Sequence, residues 1–197
     1  LFMPENTTDD HDRLSNPDSL AHLIVIKHPT PNPQNEHIIE FTRDERILRK
    51  QLIEGLREIA SPHTYPRALD LFSGNGSVAE FLAEEGWSDI TGMDQYTPTK
   101  ILVPGAKWIH WHLSMLALCI HNHYELPADV EKLRSAFDLV MMVQTESHDY
   151  YIREQLADFF LKPKGVVFPD YRGMSPELIA TGKWKPTARA LFYEKQF

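Results

Sequence analysis

Residues 67–77 read RALDLFSGNGS. RALDLF is a short apolar run of strand length, and Gly74-Asn75-Gly76 breaks it before SVAEFLAEEG, where Val78, Phe81 and Leu82 fall on one helical face. Gly86 stands where that helix needs a C-terminal cap. A strand, a glycine turn and a helix in this order hold a nucleotide at the carboxyl end of a sheet. Asp70 complicates that reading, because it puts an acid four positions ahead of a turn that usually welcomes phosphates.

The alternation continues on both sides of this stretch. Upstream, RDERILRKQLIEGLREIA spaces Ile47, Leu48, Leu52, Ile53, Leu56 and Ile59 as the stripe of an amphipathic helix, closed by Pro62 and Pro66. Downstream, SDITGMD is a second strand and AKWIHWHL a third, followed by a helical stretch to about Ser135 in which Pro127 suits a first turn. FDLVMMV is a buried strand ending at about Val143, DYYIREQLADFF a helix and KGVVFPD another strand. TARALFYEKQF supplies a last strand, antiparallel to the rest. Strands alternating with helices imply an α/β domain, a doubly wound and mostly parallel sheet with helices on both faces. The domain spans residues 37–197. Residues 1–36, rich in Asp, Asn, Pro and Thr, form an irregular N-terminal arm in which LAHLIVIKH (20–28) has the character of a short strand.

Gly74 to Ala79 matches G-x-G-x-x-A, and Asp94 ends the second strand at the right distance to hold ribose hydroxyls, so a dinucleotide is the first rival ligand. Asp70 argues against it. A pyrophosphate sits at the helix start because backbone N–H groups and the helix dipole favour negative charge there, and a carboxylate nearby opposes it. A ligand with an ammonium group and no phosphate reverses the sign. S-adenosylmethionine is such a ligand: it carries an amine and a cationic sulfonium, and its ribose still wants an acidic partner.

ALDLFSGNGSVAEFLAEEGW followed by ITGMD resembles the first two motifs of class I S-adenosylmethionine-dependent methyltransferases, and FDLVMM and LKPKGVVFPD resemble that family's fourth strand and the turn before its fifth. The resemblance covers roughly residues 40–170. It implies that Asp70, Phe72, Gly74 and Gly76, with Ser73 and Asn75 between them, line the methionine side, and that Asp94, with Gln95 beside it, binds the ribose. Ser77 stands where a third glycine is common, and the third strand ends in HWHLSM without the usual acid near the adenine. His112, Leu113, Ser114 and Met115 are the candidates for the adenine side. Gln144, after the fourth strand, completes the cofactor set.

Methyl transfer is an in-line displacement at an already activated carbon, so the protein mainly orients the acceptor and removes its proton where needed. The segment after the fourth strand reads QTESHDYYIRE. It has neither the Asn/Asp-Pro-Pro-aromatic motif of amino-directed DNA methyltransferases nor the Pro-Cys of cytosine-C5 enzymes. Its candidate catalytic residues are Glu146, His148 and Glu154. The protein arginine methyltransferases hold a guanidinium between two glutamates on such a loop, a part Glu146 and Glu154 could take by bidentate pairing. The plainer alternative makes them solvated acids at a helix start. Tyr150 and Tyr151 read as packing residues, and His110, His112 and the HNH at 121–123 do not make a metal pattern.

The formal net charge of −8 disfavours phosphate backbones, and the small clusters Lys162/Lys164 and Lys183/Lys185 make no basic stripe. The expected acceptor is a small molecule or a protein side chain; a nucleic-acid methyltransferase is an alternative, and a methyltransferase-like scaffold that has lost its chemistry is another. The single cysteine, Cys119, excludes an intrachain disulfide and fits a reducing, cytoplasmic setting. No run approaches membrane-spanning length, and the first twenty residues lack the pattern of a signal peptide. The chain opens on Leu1 rather than Met, which leaves room for a partner domain or chain.

Overall fold

A computed structural model of the chain describes residues 23–31, 52–74, 76–97, 103–143, 150–169, 172–189 and 191–197. Helix α1 covers residues 52–59. There follow β1 (Arg67–Leu71), α2 (Ser77–Glu84), β2 (Asp89–Asp94) and β3 (Lys107–His110). Next come α3 (Leu113–His121), α4 (Ala128–Glu131), β4 (Phe137–Met141), α5 (Tyr150–Phe160) and β5 (Leu161–Phe168). The last elements are α6 (Pro176–Ala180), β6 (Trp184–Pro186) and β7 (Tyr193–Lys195).

The strands form one seven-stranded sheet in the order β3-β2-β1-β4-β5-β7-β6. β1 to β5 run parallel, and β7 lies antiparallel between β5 and β6. Starting at the centre, the chain winds out to β3 and returns to β4 beside β1. The strand order reverses between β1 and β4, where open parallel sheets leave a ligand crevice at the carboxyl ends.

Period-two alternation sorts the strand residues into two cores. Leu69, Leu71, Val140 and Val167 face one layer, filled by Leu116 and Ala117 of α3 and Leu156, Phe159 and Phe160 of α5. Ala68, Leu139, Met141, Val166 and Phe168 face the other, filled by Leu52 and Leu56 of α1 and Ala79, Phe81 and Leu82 of α2. Both faces of the sheet are therefore covered, as a doubly wound parallel sheet requires.

The structure departs from the sequence reading in several places, and α6 (Pro176–Ala180) is a helix that the reading did not contain. The helical stretch expected to reach Ser135 is two helices: α3 stops at His121, His123 takes a positive φ of 56°, and α4 begins only at Ala128. The fourth strand ends at Met141 rather than Val143. β6 is a strand that the sequence reading did not contain; at three residues it is too short to show a period, and Pro186 suits its place at the sheet edge. Gly86 caps α2 as expected, with φ of 100° and its N–H donating to the Ala83 carbonyl. The upstream helix lies within the described residues only from position 52.

Residues 23–31 lie against the end of β3 and the segments that follow β2 and β3. Val25 bridges Trp111 antiparallel, the Ile26 N–H donates to the His110 carbonyl at 2.9 Å, and the His112 N–H donates to the Ile24 carbonyl at 2.8 Å. Ile24 is fully buried in the same core layer as Trp111 and Leu113. Among the described residues no helix is long and apolar enough to cross a membrane.

Candidate cofactor site

The loop leaving β1 is fastened to the end of β2. The N–H groups of Phe72 and Ser73 both donate to the Met93 carbonyl, at 2.9 and 3.1 Å. This forces the chain back sharply, and Phe72 takes a φ of 63° that few non-glycine residues adopt. Gly74 and Gly76 follow at φ of 50° and 85°, where a side chain would be strained. The Gly76 N–H returns to the Ser73 carbonyl at 2.8 Å, and Gly76 serves as N-cap of α2.

A glycine cap brings no side-chain acceptor to the orphan N–H groups of the first helical turn. Asp70 supplies one from the neighbouring strand: its Oδ2 accepts the Ala79 N–H at 3.2 Å. Asp70 is only 1% exposed. Its row across the sheet runs from Trp108 through Gly92 to Asp70 and on to Met141 and Phe168. Trp108 leans over Gly92 so closely that a β-carbon there would lie 2.2 Å from its ring. Burial pushes Asp70 up to about 8, an effect the Ala79 hydrogen bond opposes and the charge of Asp94 reinforces.

Asp94 works differently. At the end of β2 its Oδ2 accepts the Gly74 N–H at 3.0 Å and its Oδ1 accepts the Tyr96 N–H at 3.1 Å. One carboxylate thus ties the glycine turn to the loop after β2, and each oxygen keeps a lone pair for a hydroxyl. The Trp111 N–H donates to the Asp94 carbonyl, and the Tyr96 carbonyl lies 3.1 Å from Nδ1 of His110. The ends of β1, β2 and β3 form one hydrogen-bonded rim.

On this rim the structure brings together Asp70, Phe72, Ser73, Gly74, Gly76, Asp94 and Gln95. Ser114 and Met115 sit at the head of α3 after β3, Ser114 exposed and Met115 packed partly against the core. Asn75, Gln144, Glu146 and His148 lie outside the described residues. Glu154, in the second turn of α5, accepts the Ser175 N–H on Oε1 at 2.7 Å, so one of its oxygens secures the segment after β5. Beside it the buried Arg153 donates to the Pro169 carbonyl at 2.5 Å. The sequence reading missed this stitching of α5 to the chain after β5, along with Tyr96 on Asp94 and the approach of residues 23–31. The Tyr96 contact is a local turn on an aspartate two residues back, a pattern a sequence can offer; the other two join segments far apart in the chain, which no local pattern marks.

Two open cavities, of about 280 and 240 Å³, flank Tyr65 near the amino ends of β1, β4 and β5, opposite the glycine turn. Among the described residues no group of His, Cys, Asp and Glu could hold a metal ion.

No family model matches the chain, and no curated protein matches it in sequence. Solved structures do. An S-adenosyl-L-methionine methyl transferase from Silicibacter pomeroyi DSS-3 is similar over 80% of this chain and 100% of its own, at 14% identity and a TM-score of 0.52. The yhhF protein of Escherichia coli, assigned as a methyltransferase, is similar over 88% of this chain and 98% of its own, at 12% identity and a TM-score of 0.50. An S-adenosylmethionine-dependent methyltransferase from Mesorhizobium loti is 20% identical over 64% of this chain, with a TM-score of 0.39; the chain spans 51% of its length. The fold is the α/β fold of class I S-adenosylmethionine-dependent methyltransferases.

Proposed function

We propose that the chain binds S-adenosylmethionine on the rim formed by the ends of β1, β2 and β3 and transfers its methyl group to a small molecule or a protein side chain. The observation that carries this reading is the occupation of the turn's N–H groups by acids. Two carboxyl groups from adjacent strands, Asp70 and Asp94, accept the backbone N–H groups of Ala79 and Gly74 around it. N–H groups that a dinucleotide site would offer to a pyrophosphate are already engaged by acids. Asp94 faces the ribose hydroxyls, Gly74 and Gly76 let the backbone approach the methionine part, and Ser114 and Met115 border the adenine. The likeness in fold supports the reaction class; the acceptor rests on the acidic balance of the chain.

Of the acid–base candidates, Glu154 is held to Ser175, which suits a positioning role better than one half of a guanidinium clamp. Glu146 and His148, outside the described residues, remain the candidates for proton removal, since they follow β4 in the chain and β4 ends at the carboxyl edge of the sheet. Isothermal titration tests the reading. S-adenosylmethionine should give saturable heat and NAD none, and Asp94→Ala should weaken binding by about 1.5–3 kcal/mol through lost charge-assisted hydrogen bonds. Saturable heat with NAD alone would transfer the site to the dinucleotide rival.

A further inference from the structure

Asp70 is a carboxylate that the proposed chemistry does not consume. It is 1% exposed, and among the described residues its side chain accepts one hydrogen bond, from the Ala79 N–H. Among the described residues its sheet neighbours carry no positive charge. Gly92 on β2 and Met141 on β4 stand directly opposite, Trp108 closes the row over Gly92, and the first turn of α2 carries Glu80 as its acid. Asp94 is the ionisable neighbour whose charge acts on it, and it raises rather than lowers the cost of ionising Asp70. A carboxyl group in such surroundings holds its proton until a cation arrives.

We propose that Asp70 exchanges this proton for the positive charge of the ligand. The site then favours S-adenosylmethionine, whose sulfonium is cationic, over S-adenosylhomocysteine, whose sulfur is neutral, and favours it more strongly as pH rises. The inference rests on the cofactor reading above. The exchange balances: the neutral carboxyl gives a proton to solvent, and the carboxylate left behind faces a ligand bearing one more positive charge than the product. Ionised Asp70 also keeps its hold on α2, because the Ala79 N–H is a better partner for a carboxylate than for a neutral acid. Methyl transfer removes the sulfonium charge, so the proton returns and the grip on the spent cofactor relaxes.

The test is calorimetry on the full chain near pH 7, titrating S-adenosylmethionine and then S-adenosylhomocysteine in two buffers of different ionisation enthalpy. Asp70→Asn is run in parallel, because its amide oxygen still accepts the Ala79 N–H but cannot titrate. The wild type should release close to one proton more than Asp70→Asn on binding S-adenosylmethionine, and clearly less on binding the product. Its preference for S-adenosylmethionine should grow up to about tenfold per pH unit between about pH 6 and 8, while that of the variant stays flat. Equal proton release by both proteins, with S-adenosylmethionine bound, would overturn the exchange and leave the cofactor reading standing. The wild-type proton count decides the matter even if the variant misfolds, since no release there overturns it too. Absence of S-adenosylmethionine binding by heat or thermal shift across that pH range would remove both.

Discussion

At the scale of single residues, two aspartates one strand apart illustrate how surroundings set roles. Asp94 sits at the rim with two backbone donors, whereas Asp70 is buried with one. Burial raises Asp70 from 3.8 to about 8. The sign of the consequence follows from proton counting. Between those values the folded chain holds a proton at Asp70 that the unfolded chain has lost, so unfolding free energy falls as pH rises, by at most about 1.4 kcal/mol per unit for one group. Above that window both states are ionised and the loss stops. Thermal unfolding without ligand should therefore decline from pH 5 to pH 8 more steeply in the wild type than in Asp70→Asn, and the variant should be the more stable at pH 8. Parallel curves would show that Asp70 is ionised in the folded chain. The sequence displayed this aspartate and its place before the turn, but its partner could not be read there. Ala79 is nine residues on, and only the fold of the turn brings its N–H back to β1.

At the scale of elements, what was legible was what local pattern encodes. RALDL, DITGMD and FDLVM are short apolar runs that a covered parallel sheet demands, and they form β1, β2 and β4. The glycine turn announced its position because no other residue tolerates the dihedral angle of Gly76 at so small a cost. The segment after His121 was illegible for the opposite reason: Tyr124 sends its N–H back to the Cys119 carbonyl and ends the helix through backbone geometry that no helix-breaking residue signals. The candidate site was legible in its glycines and acids and obscure in its ties, which join distant segments. Gly92 combines both cases. In the sequence it is a glycine inside a strand, a weak signal of close approach; in the structure it is the floor on which the Trp108 ring rests. Gly92→Ala should destabilise the chain by about 1–3 kcal/mol, the usual cost of overpacking, because Trp108 must be pushed aside. Denaturant unfolding checks this, and a variant as stable as the wild type would mean that the ring has room to move.

At the scale of the whole molecule, the question is whether residues 23–31 are an arm laid on the domain or a part of it. The sequence divides the chain by composition, assigning positions 1–36 to an irregular segment because they are polar and rich in turn formers. The contacts follow a different logic. Ile24 is fully buried among Trp111 and Leu113, its carbonyl accepts the His112 N–H, and farther along the Thr97 N–H donates to the Thr30 carbonyl. These bonds pair the end of the edge strand β3 and the residues that follow it, where backbone groups would otherwise be open to other chains. They also brace the segments just after β2 and β3, next to Asp94 at the end of β2 and leading into the head of α3. A segment so placed should share the cooperative unfolding of the sheet. Ile24→Ala should lower the unfolding free energy by about 2–5 kcal/mol, the range for a large-to-small change in a packed core, and should move a single urea transition to lower concentration without changing its slope. A merely appended arm would behave otherwise: the substitution would shift stability by less than about 0.5 kcal/mol, as exposed positions do. The same variant separates bracing from contact at the site. If residues 23–31 act by holding the rim in place, S-adenosylmethionine affinity should fall with temperature earlier in Ile24→Ala than in the wild type, yet match it well below the transition.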